Sequence, residues 1–345
     1  DYRVIELMGD KAKAREVMKK AGVPVVPGYE GEITSASHAL EIAKEIGFPV
    51  MVKAAAGGGG KGIRIVREEG EFEHNYNAAK LEAKACFSDD RVYIEKFIEK
   101  PRHIEFQILA DEFGNVIHLG ERECSLQRNN QKVLEEAPST FLNPETREKM
   151  GEIAKRAAKA VDYKNAGTIE FLMDKDCNFY FMEMNTRIQV EHPITEMITG
   201  VDIVKEQIKI ASGMRLDLIQ DDIYISGNAI ECRINAEDPD NNFRPCPGLI
   251  EELYIPSGPG VRVDSAIYAG YEIPPYYDSM IGKMITYGAT RDEAIIKMKR
   301  ALGEFAIGGV KTNIDFQYDI LNNKDFVKGN YDTSFIEEKL VRDNA

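Results

Sequence analysis

The chain has 345 residues, enough for two or three domains and too many for a scaffold that depends on disulfide or metal staples. Acidic residues outnumber basic ones 58 to 44, a formal charge of −14, so the overall field disfavours nucleic acid and any phosphate must be held by local Lys, Arg and backbone N–H groups. The five cysteines, Cys86, Cys124, Cys177, Cys232 and Cys246, are scattered without C-x-x-C spacing, and no apolar run approaches the roughly 18 residues of a membrane span. A cytoplasmic protein with no membrane partner is expected, with neither a disulfide framework nor a zinc site.

The first residues lead straight into a helix and lack an initiating methionine, which predicts a segment of something longer. GDKAKAREVMKKAG predicts a short helix over 9–21, closed by Gly22 and Pro24, with Lys11 in its first turn. A second helix is predicted over 35–46, then a strand over 50–54, four glycines, a strand over 62–66, a helix over 68–87 and a strand over 92–97. This small α/β unit reads as a mobile subdomain. The alternation His103, Glu105, Gln107, the turn DEFGN and 116–119 predict an antiparallel hairpin. A helix over 143–161 carries Pro144 near its first position, where the missing N–H costs nothing. A second hairpin over 167–186 and a helix over 201–211 follow. From Asn228 short alternating strands dominate until a helix over 291–305, and the composition shift near Gly213 predicts a domain boundary.

Glu170 and Glu183 lie equally far from the middle of the turn KDCN, so a hairpin centred there sets them directly across from one another. Counting by two places Phe181, Glu183, Asn185 and Arg187 on one face and Met182 and Met184 on the other. Opposed like charges destabilise a sheet unless a hard cation bridges them, and carboxylates with an amide oxygen suit Mg²⁺. The competing reading is a solvated sheet face. MVKAAAGGGGKGIRIV offers unobstructed backbone N–H groups that can close over phosphates; it is not a Walker A motif, because it precedes a strand and lacks the G-K-[ST] ending. As a lone feature it is equally a linker, and Lys53 on the preceding strand favours phosphate because a buried lysine needs an anion. In NTRIQVEHPITE, Arg187, Gln189 and Glu191 alternate along a continuing strand that His192-Pro193 stops. Such a set can hold a planar oxyanion and take its proton, whereas an ordinary Arg187–Glu191 surface pair is the plainer reading.

With these residues in view, the sequence resembles the biotin carboxylase component of biotin-dependent carboxylases, an ATP-grasp family. The resemblance runs through LMGDK, KAAAGGGGKGIRIV, IEKFIEKPRHIEFQ, ECSLQRNNQKVLEEAP, GTIEFL, FMEMNTRIQVEHPITEMITGVD, ECRINAEDP, FRPCPG and PPYYDSMIGK, in order over nearly the whole chain. It implies an α/β (α+β) ATP-grasp fold with a mobile glycine-rich lid and a C-terminal biotin carboxylase domain. The division is an entry segment 1–24, a lid 25–97, a catalytic core 98–212 and a C-terminal domain 213–345. A further α/β domain is implied ahead of Asp1. RINAEDP is more similar to acetyl-CoA and other acyl-CoA carboxylases than to pyruvate carboxylase.

Carried over by position, the resemblance implies that ATP meets Lys11, Lys53, Gly58, Gly59, Gly60, Glu95, Lys96, Ile98, His103, Gln127 and Leu172. Mg²⁺ or Mn²⁺ would be held by Glu170, Glu183 and Asn185. Bicarbonate and biotin would lie against Lys132, Arg187, Gln189, Val190 and Arg233, with Glu191 as base and Arg233 stabilising the biotin enolate. The implied partners are a biotin carboxyl carrier protein or domain, a carboxyltransferase and a second copy in a homodimer. The competing readings are another ATP-grasp ligase acting on an amine, and a nucleotide-binding fragment without turnover.

Overall fold

A computed structural model describes residues 1–29, 31, 33–54 and 62–340. Two capped helices open the chain, α1 (Tyr2–Gly9) and α2 (Lys11–Lys20). One helix is expected across 9–21, but the Asp10 carboxylate accepts from the N–H groups of Ala12 and Lys13 and starts a new helix. Lys11 is thereby fixed at its first residue.

The segment expected as a lid comprises α3 (Ala36–Ile46), β1 (Val50–Ala54), β2 (Ile63–Val66), α4 (Phe72–Phe87) and β3 (Val92–Lys96). The strands form an antiparallel sheet in the order β2-β1-β3. Val50 and Val52, two residues apart, share one face, which meets Ile42 of α3 and Phe72 and Tyr76 of α4. A 3₁₀ turn at Glu69–Glu71 delays α4, so the helix expected from 68 begins at Phe72.

The rest of the chain is built on one sheet of eight strands. Its members are β4 (Arg102–Ala110), β5 (Val116–Arg128), β6 (Gln131–Ala137), β7 (Asn165–Met173), β8 (Phe179–Asn185), β9 (Asn228–Asn235), β10 (Val261–Ser265) and β11 (Met280–Gly288). Their order is β10-β11-β9-β6-β5-β4-β7-β8, with antiparallel pairing throughout. The β6–β9 pairing carries the sheet across the composition shift at Gly213. Ile104, Phe106 and Ile108 of β4 pack on α5 (Pro144–Ala160). Leu109, with Ile117 and Leu119 of β5, faces the other way onto α7 (Ile203–Ala211). His103, Glu105 and Gln107 share the parity of Leu109, so they point to this second face. α8 (Arg291–Glu304) packs on β11 and β9. Among the described residues no helix is long and apolar enough to cross a membrane.

Two connections differ from the sequence reading. β5 and β6 form a hairpin whose turn residues Asn129 and Asn130 adopt φ of 50° and 62°, the left-handed pair that a two-residue type I′ turn requires. After Asn185 the strand ends, and residues 186–191 run as a loop into a helix, α6 (His192–Thr199). The alternation RIQVE is therefore not a strand, and His192-Pro193 begins a helix where it was expected to stop a strand.

Candidate active site

Glu170 of β7 and Glu183 of β8 stand directly opposite in register. The turn is closed by Asp174 N–H to Asn178 O, half a step away from the expected centre. The register then jumps between Glu170–Glu183 and Phe171–Phe181, leaving Met182 as the additional residue of a bulge. This corrects the face assignment: Phe181 joins Met184 in the apolar core, while Glu183 and Asn185 stay on the opposite side.

Glu170 is buried, and one of its oxygens accepts from Lys132 (3.0 Å), Asn185 (2.9 Å) and Gln189 (2.8 Å). The other lies 3.2 Å from His103 Nε2. Burial opposes its charge, yet His103 and Lys132 overcome that and hold the carboxyl well below the usual range. Glu183 is half-exposed, with Lys11 Nζ at 3.7 Å. Two carboxylates and an amide on one face form an all-oxygen donor set, which fits a hard divalent cation and not zinc.

Lys132 of β6 is the hub. Its ammonium donates to Glu105 (2.5 Å), Glu170 (3.0 Å) and Glu191 (2.6 Å). Burial alone would lower its pKa; the acidic neighbours raise it well above the ordinary value, so the charge persists. Glu191, fully buried just ahead of α6, accepts from Lys132 on one oxygen and from Arg233 of β9 (2.9 Å) on the other. Arg187 is exposed and donates to Ile188 O and Gln189 Oε1, each at 3.0 Å. Among the described residues it makes no ion pair with Glu191, which removes the plain surface-pair reading. Lys283 of β11 donates to the carbonyl of Val190 (2.5 Å), and the His192 ring contacts Gln189 O at 2.8 Å. The loop is thus pinned between Glu170 and β11.

The remaining expected nucleotide contacts are spread over β1, β3 and the ends of strands β4, β5 and β7. Lys53 forms an ion pair with buried Glu95 of β3, and Lys96 donates to the carbonyls of Gly47 and Phe48. Gln127 meets His103 Nδ1 at 2.8 Å, Leu172 lies directly across from His103 on β7, and Ile98 follows β3 in a half-buried connection. Gly58, Gly59 and Gly60 lie outside the described residues.

The sequence reading used Glu105 only as part of a strand alternation and passed over Arg122. Arg122 is fully buried and donates to Glu105 (2.5 Å), Gln107 (2.8 Å), Thr195 (3.0 Å) and Thr168 (3.2 Å), tying α6 to three strands. Burial raises the cost of the Glu105 charge, but Lys132 and Arg122 more than offset it and keep its carboxyl low. The usable signal was the charged alternation in HIEFQ and GEREC, implausible for strands facing only an apolar core.

Residues 10–219 match the family described as carbamoyl-phosphate synthase L chain, ATP binding domain, and residues 231–338 match the biotin carboxylase C-terminal domain. The biotin carboxylase of Nostoc sp. is 61% identical over 334 residues, covering 97% of this chain and 75% of that protein. Biotin carboxylase 1 of Bacillus subtilis is 58% identical over 334 residues, covering 96% and 74%. Among solved structures, the biotin carboxylase domain dimer of Hydrogenobacter thermophilus 2-oxoglutarate carboxylase, in complex with MgADP, ADP and bicarbonate, superposes with a TM-score of 0.92 at 55% identity. That match covers 98% of this chain and 74% of that one. A biotin carboxylase complex from Campylobacter jejuni gives a TM-score of 0.92 at 50% identity, covering 97% and 75%.

Proposed function

The chain belongs to the biotin carboxylase family, and from that premise we propose how its residues divide the work of ATP-dependent biotin carboxylation. The reaction consumes ATP and bicarbonate and yields ADP, phosphate and carboxybiotin. The observation that carries the assignment is the buried chain Glu170–Lys132–Glu191–Arg233, in which a metal-type carboxylate, a cation, a base and a second cation follow one another within hydrogen-bond distance.

Glu191 takes the bicarbonate proton. Lys132 and Arg233 already hold its two oxygens, so its orientation is set before substrate arrives. Arg187, Gln189 and the Val190 backbone seat the anion beside Lys132, the forked guanidinium matching a planar carboxylate-like group. The bicarbonate oxygen then attacks the γ-phosphoryl group, forming carboxyphosphate and releasing ADP. Lys11 and Lys53 offset the phosphate charge that would resist this attack. Mg²⁺ or Mn²⁺ held by Glu170, Glu183 and Asn185 supplies Lewis-acid neutralisation of phosphoryl oxygens. Carboxyphosphate collapses to carbon dioxide and phosphate, the phosphate accepts the biotin N–H proton, and Arg233 stabilises the enolate that captures carbon dioxide.

Glu95, Lys96, Ile98, His103, Gln127 and Leu172 line the nucleotide side, and the lid spanning 25–97, with Gly58, Gly59 and Gly60, closes over it to exclude water. The lid's separate core supports the lid boundary, while 98–212 as catalytic core and 213–345 as C-terminal domain share one sheet through β6 and β9. Biotin arrives on a carrier protein or domain, a carboxyltransferase removes the carboxyl group, and the chain works as a homodimer in the cytoplasm. The test is ADP release with bicarbonate and biotin varied independently. Dependence on both supports the reading, dependence on an amine points to another ATP-grasp ligase, and nucleotide binding without turnover points to a non-catalytic module.

A further inference from the structure

Behind Arg233 lies a second buried carboxyl pair that the chemistry above does not use. Glu135 of β6 and Glu231 of β9 are directly opposed in register, and both are fully buried. Arg233 lies two residues beyond Glu231 on the same sheet face, and its guanidinium bridges the two sides of the site. It donates to Glu135 Oε1 from Nε (2.7 Å) and lies 2.6 Å from it through a terminal nitrogen, which also donates to Glu191 (2.9 Å). Glu135 therefore anchors Arg233 from behind.

The remaining oxygens pose a physical problem. Among the described residues, Glu135 Oε2 and both oxygens of Glu231 are buried without a hydrogen-bond partner. Two ionised carboxylates only accept, so opposed and dehydrated they repel each other and leave all three oxygens unsatisfied. One proton removes the repulsion and pairs two of the three oxygens, because a protonated Glu231 gains an O–H that the open oxygen of Glu135 can accept. We propose that Glu231 is a positioning residue held as a neutral carboxylic acid, donating to Glu135 Oε2 and so keeping Glu135 the ionised acceptor that holds Arg233 over Glu191. This inference rests on the biotin carboxylase reading for its consequence in turnover, but not for its chemistry.

The charged and titratable groups around the pair are Lys132 from β6, Cys124 from β5, Lys283 from β11, Cys232 and Arg233 from β9 itself and Glu191 ahead of α6. Burial is the largest influence on both carboxyls. It pushes Glu231 well above the ordinary value of 4.5, and with Glu191 it pushes Glu135 to about 7 against the opposing pull of Arg233 and Lys132. The protons belong to the pair as a unit. An acid whose folded pKa is raised binds its proton more tightly in the folded state. The resulting stability is full below pH 4.5 and is lost as pH rises through the folded values.

The test begins with infrared difference spectroscopy of the intact chain, parent minus Glu231→Gln, at pH 8, above the value of about 7 that Glu135 reaches. A carboxylic-acid C=O band sensitive to deuterium exchange is expected in the parent and absent from the variant; no such band overturns the proposal even if the chain is fully active. Glu231→Gln can replace the O–H with an N–H donor, and is expected to keep biotin-dependent turnover within about twofold of the parent. Glu231→Leu has no donor, and is expected to lower biotin-dependent turnover about tenfold while bicarbonate-dependent ATP cleavage without biotin falls less. Equal behaviour of the two variants, or equal loss of both activities in Glu231→Leu, also overturns it. If neither parent nor variants carboxylate biotin, the functional reading fails, while the infrared result still decides the proton.

Discussion

The lid and the central sheet use charge in opposite ways. Apart from Lys53–Glu95, lid ion pairs such as Lys44–Glu69 sit toward the surface, that one about half exposed on both sides, and the lid is held together by an apolar core of its own. The central sheet, with the loop ahead of α6, buries its charges in rows, Glu105, Arg122, Glu135, Glu231 and the loop's Glu191 all being fully enclosed and most of them sharing partners. Exposed pairs are screened by water and contribute little, so they leave a subdomain free to shift. Buried pairs fail steeply when one member is lost, so they fix positions closely. The lid is therefore suited to moving and the sheet to aiming.

The sharpest way to break this contrast is at the base. Glu191→Gln is expected to lower bicarbonate-dependent ADP release about 10³-fold while leaving ATP affinity within about twofold, measured by steady-state kinetics and nucleotide titration. Near-parental rates would remove Glu191 from its role. Arg122→Met leaves Glu105 without one of its two cations and should cost about 3–5 kcal/mol in denaturant unfolding; a loss below about 1 kcal/mol would mean the row of charges is not what holds the sheet face. Arg233→Ser should reduce biotin carboxylation about 10²-fold and biotin-independent ATP cleavage far less, and equal losses would indicate general damage. On the lid, Lys53→Met should raise the KM for ATP about tenfold and, because it leaves buried Glu95 without its cation, cost about 1–3 kcal/mol in denaturant unfolding. Lys44→Ala is expected to change unfolding free energy by no more than about 0.5 kcal/mol, and a larger effect would show that lid pairs are not mere surface charge.

Much of this was legible because it is local. The glycine and proline punctuation around 22, 47 and 49 located the early helices and strands, and the spacing of Glu170 and Glu183 about KDCN named the right pair, although the real turn lies half a step away and the bulge at Met182 makes up the difference. The ATP-grasp fold followed from motif order, not from periodicity. What escaped notice was set by distant partners. Whether RIQVE continues a strand is decided by Lys283 and Glu170, which pin the loop from far along the sequence. Glu135 and Glu231 are separated by nearly a hundred residues and meet only because β6 pairs with β9. The side chain of Arg122 gains meaning only once β4, β7 and α6 surround it.

The unpaired Met182 has one more consequence. It acts as a phase adjuster: on the turn side of it the strand keeps one parity, and on the other side it keeps the opposite one. Removing that single residue would preserve the hairpin, yet rotate Glu183 toward the apolar interior and Met184 toward the polar face that carries Glu170. Insertions near Asp174–Asn178 should be tolerated far better than a one-residue deletion at 182, so the length of this strand, as much as its chemistry, is under constraint.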